Sequence, residues 1–179
     1  MHVTEIINTT LEENLNMISD SILYLTSNGK KVFFDAEHFF DGYKANSEYA
    51  LSTLKAAEKA GAEAIVLCDT NGGCLPDEVA EIVKASAAQV NITIGIHCHN
   101  DTGCAVANSV AAVKAGASQV QGTFTGIGER CGNTNLSTVI ANLQLKLGMR
   151  CVAQENIIEL TQTARFISEI CNMKLTSNM

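Results

Sequence analysis

Two histidines one residue apart, His97 and His99, followed directly by Asn100, Asp101 and Gly103, are the residues of this sequence best suited to chemistry. At the end of an extended segment, residues two apart point to the same side, so both imidazoles can reach one cation. The pair reads either as metal ligands or as hydrogen-bonded residues at the rim of a sheet, and the Asn100-Asp101 sequence after it favours the first reading. Cys98, between the histidines, points the opposite way. Cys98 and Cys104 are therefore read as packing residues.

Three further polar clusters accompany the pair. Asp35 and Glu37 stand two apart on an extended stretch and suit general acid or base work or metal binding, with a solvated surface as the alternative. Asp69-Thr70-Asn71-Gly72-Gly73 has the residue types of a turn ahead of Pro76, although Thr70 at a buried strand end is harder to explain by a turn alone. The run from Thr123 to Asn133 holds Gly126, Gly128, Glu129, Arg130 and Gly132 and leads from a strand toward a helix. There, free amides and the helix dipole favour an anion; the other reading is a turn that needs positive φ.

These clusters are positioned by alternating elements. Leu11, Leu15, Ile18, Ile22 and Leu25 share one helical face over residues 11–27, with Thr10 and Glu13 spaced as a capping box and Gly29 placed to close the helix. Short apolar runs at 32–34, 64–67, 92–96 and 119–121 alternate with expected helices at 47–60, 76–86, 103–115 and 136–147, and a last helix is expected at 155–171. Lys-Ala-Gly-Ala occurs twice, at 59–62 and 114–117, each time at a helix-to-strand turn. Strands separated by single helices imply right-handed crossovers and a parallel α/β sheet, as in barrels and doubly wound folds. Every polar cluster follows the carboxyl end of a strand. In a barrel, those loops converge on one mouth, where active sites are built.

Composition bounds the function. At 179 residues and 46% hydrophobic content the chain can bury one sizeable core, read as a single domain over residues 1–179. A net charge of −7 without any Lys/Arg-rich run argues against nucleic acid as a partner. Seven cysteines without a C-x-x-C pair fit a reducing cytoplasm. No apolar stretch approaches the roughly 18 residues of a membrane helix, and the first residues lack a signal-peptide layout. An open parallel sheet leaves two unpaired edges, so association into a homo-oligomer or with another half-barrel is expected.

The segment Ile94-Gly95-Ile96-His97-Cys98-His99-Asn100-Asp101-Thr102-Gly103-Cys104-Ala105-Val106-Ala107 and the run Gly128-Glu129-Arg130-Cys131-Gly132-Asn133 are similar, in content and order, to two family signatures. They are those of the α-isopropylmalate, homocitrate and citramalate synthases, metal-dependent barrel enzymes of the Claisen-condensing type. Residues 35–46, Asp-Ala-Glu-His-Phe-Phe-Asp-Gly-Tyr-Lys-Ala-Asn, resemble the citramalate branch more than the isopropylmalate branch. The resemblance runs from His2, at the end of what would be the fourth barrel strand, and makes the four strands numbers five to eight of a (β/α)8 barrel. The family's Leu-Arg-Asp-Gly motif on strand one has no counterpart here, nor has its C-terminal region.

The resemblance implies an enzyme that condenses acetyl-CoA with an α-keto acid, pyruvate to give citramalate for isoleucine biosynthesis. The alternatives are 2-isopropylmalate or homocitrate synthesis, or a fragment that acts only as an interaction module. It implies that His97 and His99, with Asn133, hold a divalent Mg, Mn or Zn ion. Glu37 would serve in the proton transfer at the acetyl methyl and Thr70 would bond the keto-acid carboxylate. Gly126, Gly128 and Glu129 would lie along the acetyl-CoA thioester or pantetheine arm.

Overall fold

A computed structural model describes residues 2–174. Four strands, β1 (Phe33–Ala36), β2 (Ala64–Asp69), β3 (Thr93–Cys98) and β4 (Gln119–Gln121), form one sheet in the order β1-β2-β3-β4 with every pairing parallel. Between and around them lie α1 (Leu11–Ser27), α2 (Phe39–Ala45), α3 (Ser47–Lys59), α4 (Pro76–Ala87), α5 (Ala105–Lys114), α6 (Leu136–Ala141) and α7 (Leu160–Ile170). The expected βα alternation is present, and Pro76 opens α4, where a missing amide costs nothing. Both Lys-Ala-Gly-Ala turns close a helix with a glycine in positive φ, Gly61 at 97° and Gly116 at 120°.

The side-chain period of two divides the sheet. Ile65, Leu67, Ile94, Ile96 and Cys98 join the core with Leu54, Ala57, Val79, Val83, Ala105 and Ala112 of the helices. The alternate residues face the other way, and the register sets Asp35 beside Val66, Val66 beside Gly95 and Gly95 beside Gln119. One residue pair along, Cys68 pairs with His97 and His97 with Gln121.

That second face is strongly curled. Laid flat, four strands would hold β1 and β4 roughly 14 Å apart, yet the Gln121 side chain on β4 donates to Asp35 Oδ1 on β1 at 3.1 Å. Curling crowds the inner face: a Cβ on Gly95 would lie 3.0 Å from Val66 Cγ2 and 3.1 Å from Gln119 Oε1. This is the curvature of a partial (β/α)8 barrel, helices outside and polar residues inside.

Several elements differ from expectation for local reasons. Of the expected face of α1 only Ile22 is buried, while Leu11 and Leu25 stay exposed, because α1 precedes an edge strand that has no neighbour beyond it among the described residues. Half of the capping box forms: Glu13 N donates to Thr10 Oγ1 at 3.0 Å, but the Glu13 carboxylate accepts from Asn16 instead. Residues 2–6, expected to end a strand, form a π-helical turn. The seven-residue α2 was hidden by a central Gly42 and by His38 at its N-cap in the left-handed region, φ 55°; its Phe39 and Phe40 are buried. The helix expected at 136–147 keeps α geometry only through Ala141 and then widens over Asn142–Lys146, and the last helix begins as a 3-10 turn over Gln154–Glu159. No helix among the described residues is long and apolar enough to cross a membrane.

The return of the chain after β4 leaves no room at Gly122, where a Cβ would stand 2.5 Å from the Thr134 carbonyl oxygen. Gly122→Ala is expected to lower the unfolding free energy in urea by about 2 kcal/mol or more. Gly73→Ala, where nothing lies within 4 Å, should stay within about 0.5 kcal/mol of wild type. Equal effects would refute the close backbone approach.

Candidate active site

All four loops that follow the strands meet at one pole and are tied to one another there. After β1, Glu37 Oε2 accepts from the Thr70 hydroxyl at 2.7 Å, and the His38 amide donates to that same hydroxyl at 2.8 Å. Asn71, after β2, donates to Asp41 at 2.6 Å. Thr102, after β3, donates to the Gly72 carbonyl at 2.7 Å. Arg130, after β4, joins them: its Nε and Nη2 donate to the Asp101 carboxylate at 2.8 and 3.0 Å, and Nη2 also reaches the Thr70 carbonyl at 2.6 Å.

His97 and His99 lie on this pole with ring centroids 5.1 Å apart. His97 is half-buried on the inner face and its Nδ1 meets Gln121 Oε1 at 3.1 Å. His99 is buried, and its Nδ1 lies 3.0 Å from Arg130 Nη2. A guanidinium only donates, so this nitrogen of His99 can only accept, sharing the two Nη2 hydrogens with Asp101 and the Thr70 carbonyl. Burial first, then His97 and the Arg130 cation, hold His99 below its ordinary value of 6.5. The Arg130 hydrogen bonds hold Asp101 below the usual carboxylate range and raise the guanidinium in turn.

A divalent cation fits the chemistry of this pole in part. Asn133 pairs with His99 across an isolated antiparallel bridge, and its Oδ1 is buried without a hydrogen-bond partner. Paired bridge residues project to the same side, so the Asn133 side chain, with its hard oxygen acceptor, lies on the side of His99, where it packs over Gly128. His99 can join in holding a cation once Arg130 Nη2 gives up its nitrogen or the ring proton moves to the other one. Among the described residues no three His, Cys, Asp or Glu side chains gather as a metal set. The buried thiols do not contribute: burial pushes Cys68 and Cys98 up, so both stay protonated, and Cys98 faces the helices.

Other sequence-predicted residues take definite places. Asp69 is buried, its carboxylate accepting the Gly73 and Cys74 amides at 3.2 Å each, which makes it the turn's anchor. Thr70 spends its one proton on Glu37. The glycine run does not lead straight into a helix. It folds back so that Asn133 N bonds the Gly126 carbonyl at 3.0 Å and Thr123 N the Thr134 carbonyl at 3.0 Å, and α6 starts only at Leu136. Gly126 and Gly132 take φ of 75° and 100°, and a Cβ on Gly128 would lie 2.9 Å from Asn133 N. Turn geometry thus accounts for these glycines, and Glu129 stays exposed, 3.5 Å from Arg130 Nη1. The residue that sequence reasoning passed over is Gln121; Arg130 was read as part of the polar run after β4, without a role of its own. Gln121 had one signal, its place on the same face as His97 in the neighbouring strand.

The family model described as HMGL-like matches residues 1–167. The chain belongs to the HMGL-like family. Within it, this chain is 57% identical over 180 residues to an (R)-citramalate synthase of Aquifex aeolicus, covering 100% of this chain and 34% of that protein. It is 54% identical over 181 residues to an (R)-citramalate synthase of Synechocystis sp., covering 97% of this chain and 33% of that protein. The HMGL-like chain thus spans about a third of the length of these curated relatives. Among solved structures, an HMG-CoA lyase of Bacillus subtilis superposes with a TM-score of 0.79 at 21% identity, over 98% of this chain and 61% of that one. That likeness establishes the shared HMGL-like fold.

Because His99 is held below its ordinary value of 6.5, the unfolded chain takes up this proton first as pH falls. The stability it contributes is complete above about pH 6.5 and is lost progressively below. The melting temperature should therefore drop more in wild type than in His99→Gln between about pH 7.5 and pH 5.5. Parallel curves would contradict a buried neutral imidazole.

Proposed function

We propose that residues 1–179 are the histidine-bearing half of a barrel that condenses acetyl-CoA with an α-keto acid, pyruvate giving citramalate. The observation that carries this reading is the shared mouth. Two imidazoles and the unpartnered Asn133 oxygen lie on the pole where Glu37 is held by Thr70 at 2.7 Å. The 57% identity with an (R)-citramalate synthase over the whole chain favours pyruvate as the acceptor. We propose the same setting for the whole protein: a metabolic enzyme of the cytoplasm, serving isoleucine formation and working as a homo-oligomer.

His97, His99 and Asn133 would hold the divalent cation, which supplies Lewis-acid polarisation of the keto-acid carbonyl. The residues of this chain do the rest. Thr70 donates to Oε2 of Glu37 and is itself fixed by the His38 amide, so Oε1 of Glu37 is the oxygen left to take a proton from the acetyl methyl. Exchange of the Thr70 proton from Glu37 to a keto-acid carboxylate would couple acceptor binding to release of the base. The loop carrying Gly126, Gly128 and Glu129 borders a groove of about 600 Å³ that starts at Thr125 and Asn135 and has Lys146 and Arg165 on its walls. That groove suits the arm and phosphates of acetyl-CoA, whose anionic groups require cations.

In the full chain, His97→Ala and Glu37→Gln are each expected to cut thiol release from acetyl-CoA and pyruvate by about 100-fold or more. Pyruvate should exceed 2-oxoisovalerate and 2-oxoglutarate in the same assay. Near-normal turnover in either variant sinks the residue roles, and preference for another keto acid sinks the acceptor.

A further inference from the structure

Gln121 takes part in no step described so far, yet it touches both edges of the sheet and one of the two histidines. Its amide nitrogen donates to Asp35 Oδ1 at 3.1 Å and its amide oxygen lies 3.1 Å from His97 Nδ1. An ionised carboxylate only accepts, so Asp35 decides which way the amide faces: nitrogen toward β1, oxygen toward His97. That oxygen also only accepts. His97 Nδ1 must therefore carry the hydrogen, and the lone pair of the neutral ring is left on Nε2.

We propose that Gln121 is a positioning residue for the cation: clamped by Asp35, its amide oxygen fixes the ring and tautomer of His97 with Nε2 free to ligate. This rests on reading His97 and His99 as metal ligands. A ligating histidine ordinarily donates its other N–H to an acceptor, which sets the ring and raises its basicity. Here the acceptor comes from the neighbouring strand, opposite His97 in the register, and is oriented by a carboxylate 86 residues away. Asp35 is exposed, so its bond to Gln121 adds little to stability. Its effect lies in orientation. The two histidines differ in this respect, since His99 Nδ1 accepts from Arg130 and its neutral ring keeps the proton on Nε2. His97 is thus the ligand ready at the outset.

The test is titration of the metal-free full chain with Zn²⁺ and with Mn²⁺ by calorimetry, beside nitrogen-15 spectra of the histidine rings. Gln121→Leu should weaken binding of both ions about 10–100-fold while the metal-free chain melts as wild type does. The double variant Asp35→Asn with Gln121→Glu exchanges the two side-chain types and keeps the pattern. The amide now on β1 donates to the carboxylate now on β4, and that carboxylate still accepts from His97 Nδ1, so wild-type affinity or better should return. Unchanged affinity in Gln121→Leu, or a double variant as weak as Gln121→Leu, overturns the proposal. If Gln121→Leu melts early, the His97 spectrum of the double variant decides: a protonated Nδ1 supports the proposal and a protonated Nε2 overturns it. The ligand reading fails separately, when His97→Ala binds as tightly as wild type or wild type binds neither ion, and the role of Gln121 falls with it.

Discussion

The curl of the sheet is the constraint on which the rest of the structure depends. Four parallel strands could lie nearly flat with helices on both faces; here the two edge strands come close enough for Gln121 and Asp35 to share a hydrogen bond. Curling leaves only one face for helices, which explains why the apolar residues of β2 and β3 that enter the core are the alternate ones. The inner face is crowded along the strands, where glycine is needed at Gly95, and becomes polar at their carboxyl ends. The same geometry that narrows the inside brings four loops within reach of one another at the mouth.

On β3 one alternation serves two purposes. Ile94, Ile96 and Cys98 hold the strand against the helices, while Gly95 and His97 face inward. The strand that carries the imidazole is therefore fixed by its own core residues, and the imidazole needs only its remaining freedom, ring orientation and proton position, set by neighbours. Rigid strands suit such sites better than loops because the backbone costs no further entropy to hold. Arg130 does for the loops what the core does for the strand, since one planar donor reaches the segments after β2 and β3 at once.

Much of this was legible in the amino-acid sequence. Strand positions followed from short apolar runs alternating with helical segments, and the gathering of His97, His99, Glu37 and Thr70 followed from their places just after strands. The resemblance to the isopropylmalate, homocitrate and citramalate synthases was visible in the two motifs around His97 and Gly128. What stayed hidden depends on distances between segments far apart in the chain. Gln121 looks like an ordinary polar strand residue until the register sets it opposite His97. Arg130 gains its partners from loops 29 and 60 residues away. The glycine run has the composition of an anion cradle, and only the return of Asn133 onto Gly126 reveals why small residues are required. Helix α2 was lost because Gly42 and the left-handed His38 break local rules that tertiary burial of Phe39 and Phe40 outweighs.

Strand order in this sheet equals chain order, and that has a kinetic consequence. Each strand pairs with the one made just before it, so the sheet can grow by successive short-range additions, each closing a modest loop at modest entropic cost. The bond between Gln121 and Asp35 is different in kind. It joins residues 86 apart and can form only after every strand between them is in register and bent. The contact that reaches His97 is thus the one that depends on all four strands, so the inner face is chemically ordered only where the wall around it is complete.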